Sequence, residues 1–123
     1  MIGAITSVPV YVADVTASLD FFVGVLGFAT RTDSAMGPMR WVEVAPAGGQ
    51  SALVLTGPGF ESWAPEKVGV FTGIVFALTD AGSTADHLRR HGVPIVSGPQ
   101  RMPWGVQLVF ADPDGNTFAA VGT

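Results

Sequence analysis

The order of predicted elements occurs twice along the chain, and this repeat limits the possible folds more than any other feature. Ser7–Asp14 alternates between two faces as a half-buried strand does, and Gly73–Asp80 alternates in the same way. The acidic residues that end these two segments are 66 positions apart, whereas Gly27 and Gly92 are 65 apart. A one-residue gap in the intervening helix aligns both landmarks, so we infer two copies of one structural unit.

The first copy is predicted to be β-α-β-β-β. Leu19, Phe22 and Leu26 recur at helical spacing, Asp14 or Thr16 can cap the helix start, and the glycine after Leu26 can end it. Turn-rich stretches separate the strands that follow. The predicted elements after the first strand are a helix over Val15–Leu26 and strands over Phe28–Asp33, Arg40–Ala45 and Ser51–Thr56.

The second copy repeats this order. A helix from about Ala81 to His91 follows the alternating strand, and a glycine again ends it. Asp112–Asn116 has the composition of a hairpin turn. The strands of this copy are predicted near Ile95–Met102, Gln107–Ala111 and Thr117–Val121. We therefore predict one α+β domain over 1–123, with module one at about 4–56, a linker at about 57–70 and module two at about 71–123.

Strand parity assigns side chains to the two faces of each sheet. One face packs on the helix, and we expect the other faces of the two sheets to form one curved cup with the helices outside. The residues expected on the helix side are Val8, Val10, Val12, Val42, Val44, Leu53, Leu55, Ile74, Phe76, Leu78 and Phe118. Those expected on the cup wall are Ser7, Pro9, Tyr11, Trp41, Glu43, Ala52, Val54, Thr56, Gly73, Val75, Ala77, Thr79, Thr117, Ala119 and Val121.

The composition disfavours several classes of partner. Six basic residues against ten acidic ones give a net charge of −4, which opposes binding to nucleic acid. The absence of cysteine excludes disulfides, thiolate nucleophiles and sulfur-ligated metals. The N-terminus resembles no signal peptide, and no apolar run approaches the roughly 18 residues of a membrane helix. We expect a cytoplasmic protein with no membrane partner.

Short motifs occur in a characteristic order along both copies. They are Val12–Asp14, Ser18–Phe22, Leu26–Phe28, Leu88–Gly92, Pro103–Gly105 and Phe110–Asn116. Through them the chain resembles, over nearly its whole length, the vicinal oxygen chelate superfamily of glyoxalases, extradiol dioxygenases, fosfomycin-resistance enzymes and bleomycin-resistance proteins. The resemblance implies paired βαβββ modules and a small-molecule ligand. It also implies a homodimer, because relatives of this size commonly dimerise.

The metal-ligand positions of that superfamily carry unsuitable residues here. Its metal-dependent members place His, Glu or Gln at facing positions on the first and fourth strands of each module. The corresponding residues here are Ser7, Val54, Gly73 and Ala119. Three of these side chains have no donor atom, so the resemblance implies a bleomycin-resistance-like branch that uses no metal or other cofactor. His87 and His91 share a helix face, but that helix is expected outside the cup.

Aromatic and methionine side chains concentrate where the mouth of the cup is expected. Large rigid rings and adaptable thioethers suit a flat apolar ligand, and a carboxylate aimed into the cup suits a cationic one. The predicted ligand-binding residues are Met36, Met39, Trp41, Glu43, Phe60, Trp63, Met102 and Trp104.

Three functions fit this pattern. The leading hypothesis is metal-independent binding of a small, planar or cationic organic molecule, as in antibiotic sequestration. The alternative is a cofactor-free isomerase or lyase acting on a bulky organic substrate, with Glu43 as base and Tyr11 or Ser7 as hydrogen-bond donor. The third is an interaction module whose cup is filled by its own side chains. The sequence contains no Ser-His-Asp or Cys-His pattern, so no catalytic residue is predicted beyond that alternative.

Overall fold

The computed structural model describes residues 1–123, which divide into two compact units, Met1–Val68 and Gly69–Thr123. The first unit contains four strands and one interrupted helix. Its elements are β1 (Ser7–Tyr11), α1 (Val15–Leu19) with a π-helical continuation (Asp20–Val25), β2 (Ala29–Met36), β3 (Met39–Ala45), β4 (Ala52–Thr56) and a 3₁₀ turn (Pro65–Lys67).

The second unit repeats the order of the first. Its elements are β5 (Phe71–Leu78), α2 (Ala81–Arg90), β6 (Ile95–Met102), β7 (Gly105–Ala111) and β8 (Thr117–Gly122). Neither α2 nor any other helix has the length and apolar character needed to span a bilayer.

Each unit contains a four-stranded mixed sheet of the same topology. The strand orders are β1-β4-β3-β2 and β5-β8-β7-β6. The first strand of each sheet runs parallel to the last one in sequence, and the other neighbours are antiparallel. The predicted α+β class with two βαβββ units is confirmed. The joint cup stays a prediction.

Several strands are longer than the sequence indicates. The β2–β3 hairpin is tight, since Met36 pairs with Met39, and strand structure replaces most of the turn predicted from Ser34 onward. β5 begins at Phe71, two residues before its prediction, because Phe71 pairs with Thr117. Cross-strand pairing thus overrides local turn composition.

The one-residue gap between the repeats corresponds to the π-helical segment of the first unit. The carboxylates of Asp14 and Asp80 cap the two helices, accepting hydrogen bonds from Ala17 N and Ser83 N at 3.0 Å. Only the first helix then continues through Asp20–Val25. An inserted residue that a helix accommodates as a π-bulge has this effect, because the hydrogen bonds then reach back five residues.

The core of each unit lies between its sheet and its helix. α1 packs on β3 and β4, and α2 packs on β6 and β7. In the first unit Val10, Val12, Phe22, Val42, Val44 and Leu55 are at most 2% exposed. In the second unit the buried set includes Leu78, Ala85, Leu88, Leu108, Phe110 and Phe118.

Two groups of side chains differ from their predicted burial. Val8, Ile74 and Phe76, expected in the core, are only half-buried; they lie on the edge strands β1 and β5, which bury other core residues more fully. Four residues expected on the open wall are buried, and they lie on β4 and β8, which have a neighbouring strand on each side: Ala52, Val54, Thr56 and Ala119.

The predicted turn Asp112–Asn116 has a structural role in the second unit. The side-chain oxygen of Asn116 accepts hydrogen bonds from the backbone N–H groups of Gly69 and Val70, at 2.8 and 3.1 Å. Its amide nitrogen donates to the Asp112 carboxylate over 3.0 Å. The turn thereby fixes the chain segment that enters β5.

Candidate ligand-binding site

The first unit contains a cavity of about 250 Å³ on the face of its sheet opposite α1. Strands β1, β3 and β4 contribute most of its lining, and the loop after β4 contributes the rest. The lining residues are Ser7, Pro9, Tyr11, Trp41, Val54, Thr56, Phe60 and Ser62.

Strand register explains why these side chains converge. Pro9 pairs with Val54, and Tyr11 pairs with Thr56, across the parallel β1–β4 ladder. Paired residues project to the same face, and residues two apart on one strand do so as well. The cavity floor is therefore a direct result of alternation on β1 and β4.

The cavity combines apolar walls with hydroxyl groups. The rings of Trp41 and Phe60 lie 5.8 Å apart between centroids at an angle of 45°, and Val54 is only 5% exposed. The hydroxyl of Thr56 donates to the Val54 carbonyl over 3.0 Å. None of the eight lining side chains carries a charge at neutral pH. Such a surface suits a neutral ring system with a few polar substituents.

Glu43 orients a wall residue rather than lining the cavity itself. It pairs with Val54 across the sheet. Its carboxylate accepts a hydrogen bond of 2.9 Å from the indole Nε1–H of Trp41. The carboxylate therefore fixes the indole through a charge-assisted hydrogen bond. A direct contact between Glu43 and a ligand stays a prediction.

The loop after β4 is held against the sheet by several contacts. The indole Nε1–H of Trp63 donates to the Val12 carbonyl over 2.9 Å, so this ring anchors the loop rather than lining the cavity. Gly59 passes so close to the Pro38 carbonyl that a β-carbon would collide with it. Phe60 is positioned between these two contacts, which explains how a residue of the predicted linker becomes part of the wall.

The other predicted ligand residues lie elsewhere. Met36 and Met39 form the end of the β2–β3 hairpin, and Met102 and Trp104 lie at the β6–β7 turn of the second unit. Trp104 is 61% exposed. None of these four lines the cavity. Their role in ligand binding stays a prediction.

Two residues at or near the cavity were absent both from the predicted ligand-binding residues and from the predicted cup wall. Ser62 lines it, and the ammonium of Lys67 donates to the Ser62 carbonyl over 2.6 Å. The same ammonium lies 4.9 Å from the ring centroid of Tyr11. Neither residue lies in a strand, so parity has no bearing on them. Only the folded loop brings them to the site.

The residues at the family's metal positions do not fit a divalent cation. Ser7 and Val54 both line the cavity, whereas Gly73 lies on β5 and Ala119 on β8. Among the four, only the Ser7 hydroxyl is a donor, and one hydroxyl does not form a coordination sphere.

The two histidines of α2 do not replace that set. His87 and His91 stack with ring centroids 4.3 Å apart, and His91 Nδ1 lies 2.9 Å from the His87 carbonyl oxygen. No group of three or more His, Asp or Glu side chains suited to a metal occurs in residues 1–123.

The repeated βαβββ topology and the cavity on the open sheet face define the class of protein. The chain belongs to the glyoxalase/bleomycin resistance protein/dioxygenase superfamily, whose family model matches residues 2–120. It is 32% identical to TnmS3, an antibiotic binding protein from Streptomyces sp. CB03234, with a TM-score of 0.85 over 98% of this chain and 95% of that one.

Two further relatives extend the comparison. A superfamily member from Sphaerobacter thermophilus DSM 20745 is 35% identical, with a TM-score of 0.88 over 98% of this chain and 97% of that one. The uncharacterized protein YetH of Bacillus subtilis (strain 168) is 34% identical over 96% of this chain and 97% of its own length.

Proposed function

We propose that this protein binds a planar small organic molecule and sequesters it without chemical change, as an antibiotic-binding protein does. The observation that carries the proposal is the uncharged cavity of the first unit, which is lined by the rings of Trp41 and Phe60 together with hydroxyl-bearing residues. Aromatic walls favour stacking with a flat ring system. Hydroxyl groups accept and donate, so they suit carbonyl and phenol substituents equally well.

The size of the cavity is compatible with such a ligand. An apolar cavity of about 150 Å³ holds one benzene molecule. The cavity here, at about 250 Å³, has room for about two fused rings, and larger ligands would extend beyond it. The structure gives less support for a positive charge on the ligand than for a planar shape. The Glu43 carboxylate, which would bind a cation, accepts a hydrogen bond from Trp41 and does not line the cavity.

Sequestration requires affinity alone and no metal. The absence of a metal requirement agrees with the lining of the cavity, where Ser7 and Val54 occupy positions at which metal-dependent relatives carry metal-ligating residues. The similarity to TnmS3 over 98% of the chain supports an antibiotic-like ligand. We further propose a cytoplasmic location, in which binding would lower the free concentration of a toxic compound near its targets.

The test is a titration of the EDTA-treated protein with a panel of planar aromatic antibiotics, followed by equilibrium dialysis and by tryptophan fluorescence. At least one compound should bind saturably and quench the emission. Trp41→Phe should weaken binding by roughly tenfold, which corresponds to the loss of about 1.4 kcal/mol of stacking and burial. Trp104→Phe is the matched comparison: it should leave the affinity unchanged if the ligand lies in this cavity, which Trp104 does not line, whereas a loss of affinity in this variant would support the predicted role of Trp104 instead.

Two outcomes would contradict the proposal. The first is an absence of binding across the panel. The second is binding that requires Zn²⁺ or Ni²⁺ to be restored, since this would indicate a metal-dependent site.

We also propose a homodimer. The side chains of Phe71 and Val75 lie on one face of the edge strand β5 and are 68% and 59% exposed. Exposed apolar residues on an open sheet edge favour association, and a second copy of the chain is the partner that the family resemblance implies.

Light scattering after gel filtration tests the homodimer and should give the mass of a dimer. Val75→Asp should give monomers, Val23→Asp on the first helix should not, and a monomeric wild-type protein would refute the proposal.

A further inference from the structure

We infer that Lys67 selects the ligand: it gives the rim of the cavity a positive charge and favours aromatic molecules that carry an oxyanion, such as a carboxylate or phenolate. This inference rests on the proposed binding function. It names the class of ligand that the site prefers.

The position of the ammonium is the first argument. Lys67 ends the 3₁₀ turn Pro65–Lys67, and its Nζ contacts two residues that line the cavity. It donates to the Ser62 carbonyl over 2.6 Å and lies 4.9 Å from the centroid of the Tyr11 ring. The cation–π contact and the hydrogen bond together hold the charge at the edge of the cavity.

The second argument is that this charge is not neutralised within the protein. Lys67 forms no ion pair, although Glu61 and Glu66 are close in sequence. An ammonium has three N–H donors, and one of them is used by the Ser62 carbonyl. Two donors therefore remain for a ligand oxygen at the cavity rim.

The third argument is that no acidic side chain lines the cavity. The Glu43 carboxylate accepts from the Trp41 indole and does not line the cavity. Lys67 is the only lysine of a chain whose net charge is −4, so the overall field of the protein repels anions. No arginine lines the cavity or donates to a residue that does, so a preference for anionic ligands depends on Lys67.

Three matched probes test the inference: 2-naphthoate, 2-naphthol and 2-naphthylmethylammonium, which share one ring system and differ in charge. Isothermal titration at low ionic strength should give the tightest binding for naphthoate. Lys67→Gln should weaken naphthoate binding roughly three- to fivefold, as for an exposed ion pair, and should leave naphthol within about twofold. Lys67→Arg should retain the preference.

Arg90→Gln is the control for net charge. Arg90 is an exposed residue of α2, and its substitution removes the same unit of positive charge as Lys67→Gln does. It should leave the order of the three probes unchanged. If naphthoate and the ammonium probe bind equally to the wild-type protein, or if the preference survives Lys67→Gln, the selectivity inference is wrong while the binding function stands. If none of the three probes binds, both fail.

A second readout follows the lysine directly. Reductive methylation with ¹³C-formaldehyde labels the Lys67 amine and the N-terminus and preserves their charge. Addition of naphthoate should shift the Lys67 methyl resonance, and the shift should diminish as salt screens the interaction. A resonance that stays constant while naphthoate binds would place the carboxylate away from Lys67 and overturn the inference.

Discussion

Trp41 and Glu43 project from the same face of β3, and the indole Nε1–H of Trp41 donates a hydrogen bond of 2.9 Å to the Glu43 carboxylate. The ring of Trp41 also contacts the ring of Phe60. Trp41 is thus held at its polar edge by one residue and along its ring by another. The orientation of the main aromatic wall of the cavity is set by these two contacts.

The first prediction separates binding from catalysis at Glu43. Glu43→Gln retains an acceptor for the indole, so ligand affinity should stay within about twofold of wild type. Glu43→Ala leaves the indole without this partner, and affinity should fall roughly fivefold as the ring loses its fixed orientation. Equilibrium dialysis with the ligand found in the panel measures both.

The same pair of variants tests the alternative function. A cofactor-free isomerase or lyase with Glu43 as base would lose turnover in Glu43→Gln, because an amide does not accept a proton at neutral pH. Turnover of a substrate by the wild-type protein, abolished by Glu43→Gln in a folded protein, would replace sequestration with catalysis.

The second prediction concerns the tryptophan that anchors the loop. Trp63→Phe removes the hydrogen bond to the Val12 carbonyl and should lower the free energy of unfolding by about 1–2 kcal/mol. Urea denaturation measures this loss. Trp104→Phe should change stability by less than about 0.5 kcal/mol, because its ring is mostly exposed. An equal effect of the two substitutions would mean that Trp63 is not an anchor.

The fold was predictable because the same periodic pattern of apolar and polar residues occurs in both halves of the sequence. Alternation on β1 and β5, the acidic caps Asp14 and Asp80, and the glycine helix stops all act locally, so each can be read without knowledge of distant contacts. Strand ends were less predictable. The extension of β2 to Met36 depends on pairing with β3, which is a property of the sheet and not of the segment.

The cavity was predictable only in part. Parity placed Tyr11, Trp41 and Thr56 on its face, because a strand face follows from position alone. The contributions of the loop depend on tertiary contacts. Trp63 and Phe60 are three residues apart, yet one anchors the loop and the other lines the cavity, and composition makes no distinction between them.

The third prediction concerns the π-helical segment. Gly24 is exposed there, and a β-carbon added to it would meet no atom within 4 Å. Gly24→Ala should therefore raise the free energy of unfolding by about 0.5–1 kcal/mol, because alanine loses less backbone entropy in a helix. Gly27→Ala is the contrast, since Gly27 has a φ of 75° and the substitution should cost about 1 kcal/mol. Thermal denaturation of both variants gives the comparison, and a loss of stability in Gly24→Ala would contradict the prediction.

The fourth prediction tests the turn that fixes the start of β5. Asn116 is 1% exposed, and its removal leaves the N–H groups of Gly69 and Val70 without their acceptor. Asn116→Ala should lower the free energy of unfolding by about 3 kcal/mol. Hydrogen exchange should show faster exchange at both amides. Asp114→Ala is the control, because that side chain accepts neither of these hydrogen bonds, and its effect should be much smaller.

The fifth prediction concerns the pH dependence of stability at the same turn. Burial raises the pKa of the Asp112 carboxyl above its ordinary value of 3.8, and hydrogen bonds from Asn116 oppose the rise only in part. The folded state therefore binds this proton more strongly than the unfolded chain does. As pH rises from 3.8 through the folded pKa, the contribution of Asp112 to stability should decrease, and above that pKa it should be constant.

Asp80 provides the internal comparison for this titration. The hydrogen bonds from Ser83 at the start of α2 lower the pKa of its carboxyl, so its contribution is present above the ordinary value and is lost as pH falls through the folded pKa. Carboxyl ¹³C resonances should thus show a midpoint above 3.8 for Asp112 and below 3.8 for Asp80. Because the hydrogen bond from the Asn116 side chain favours the ionised form of Asp112, Asn116→Ala should move the Asp112 midpoint still higher. A midpoint that moves down in this variant would contradict the prediction, because it would mean that the Asn116 side chain raises the Asp112 pKa by burial more than it lowers it by its hydrogen bond.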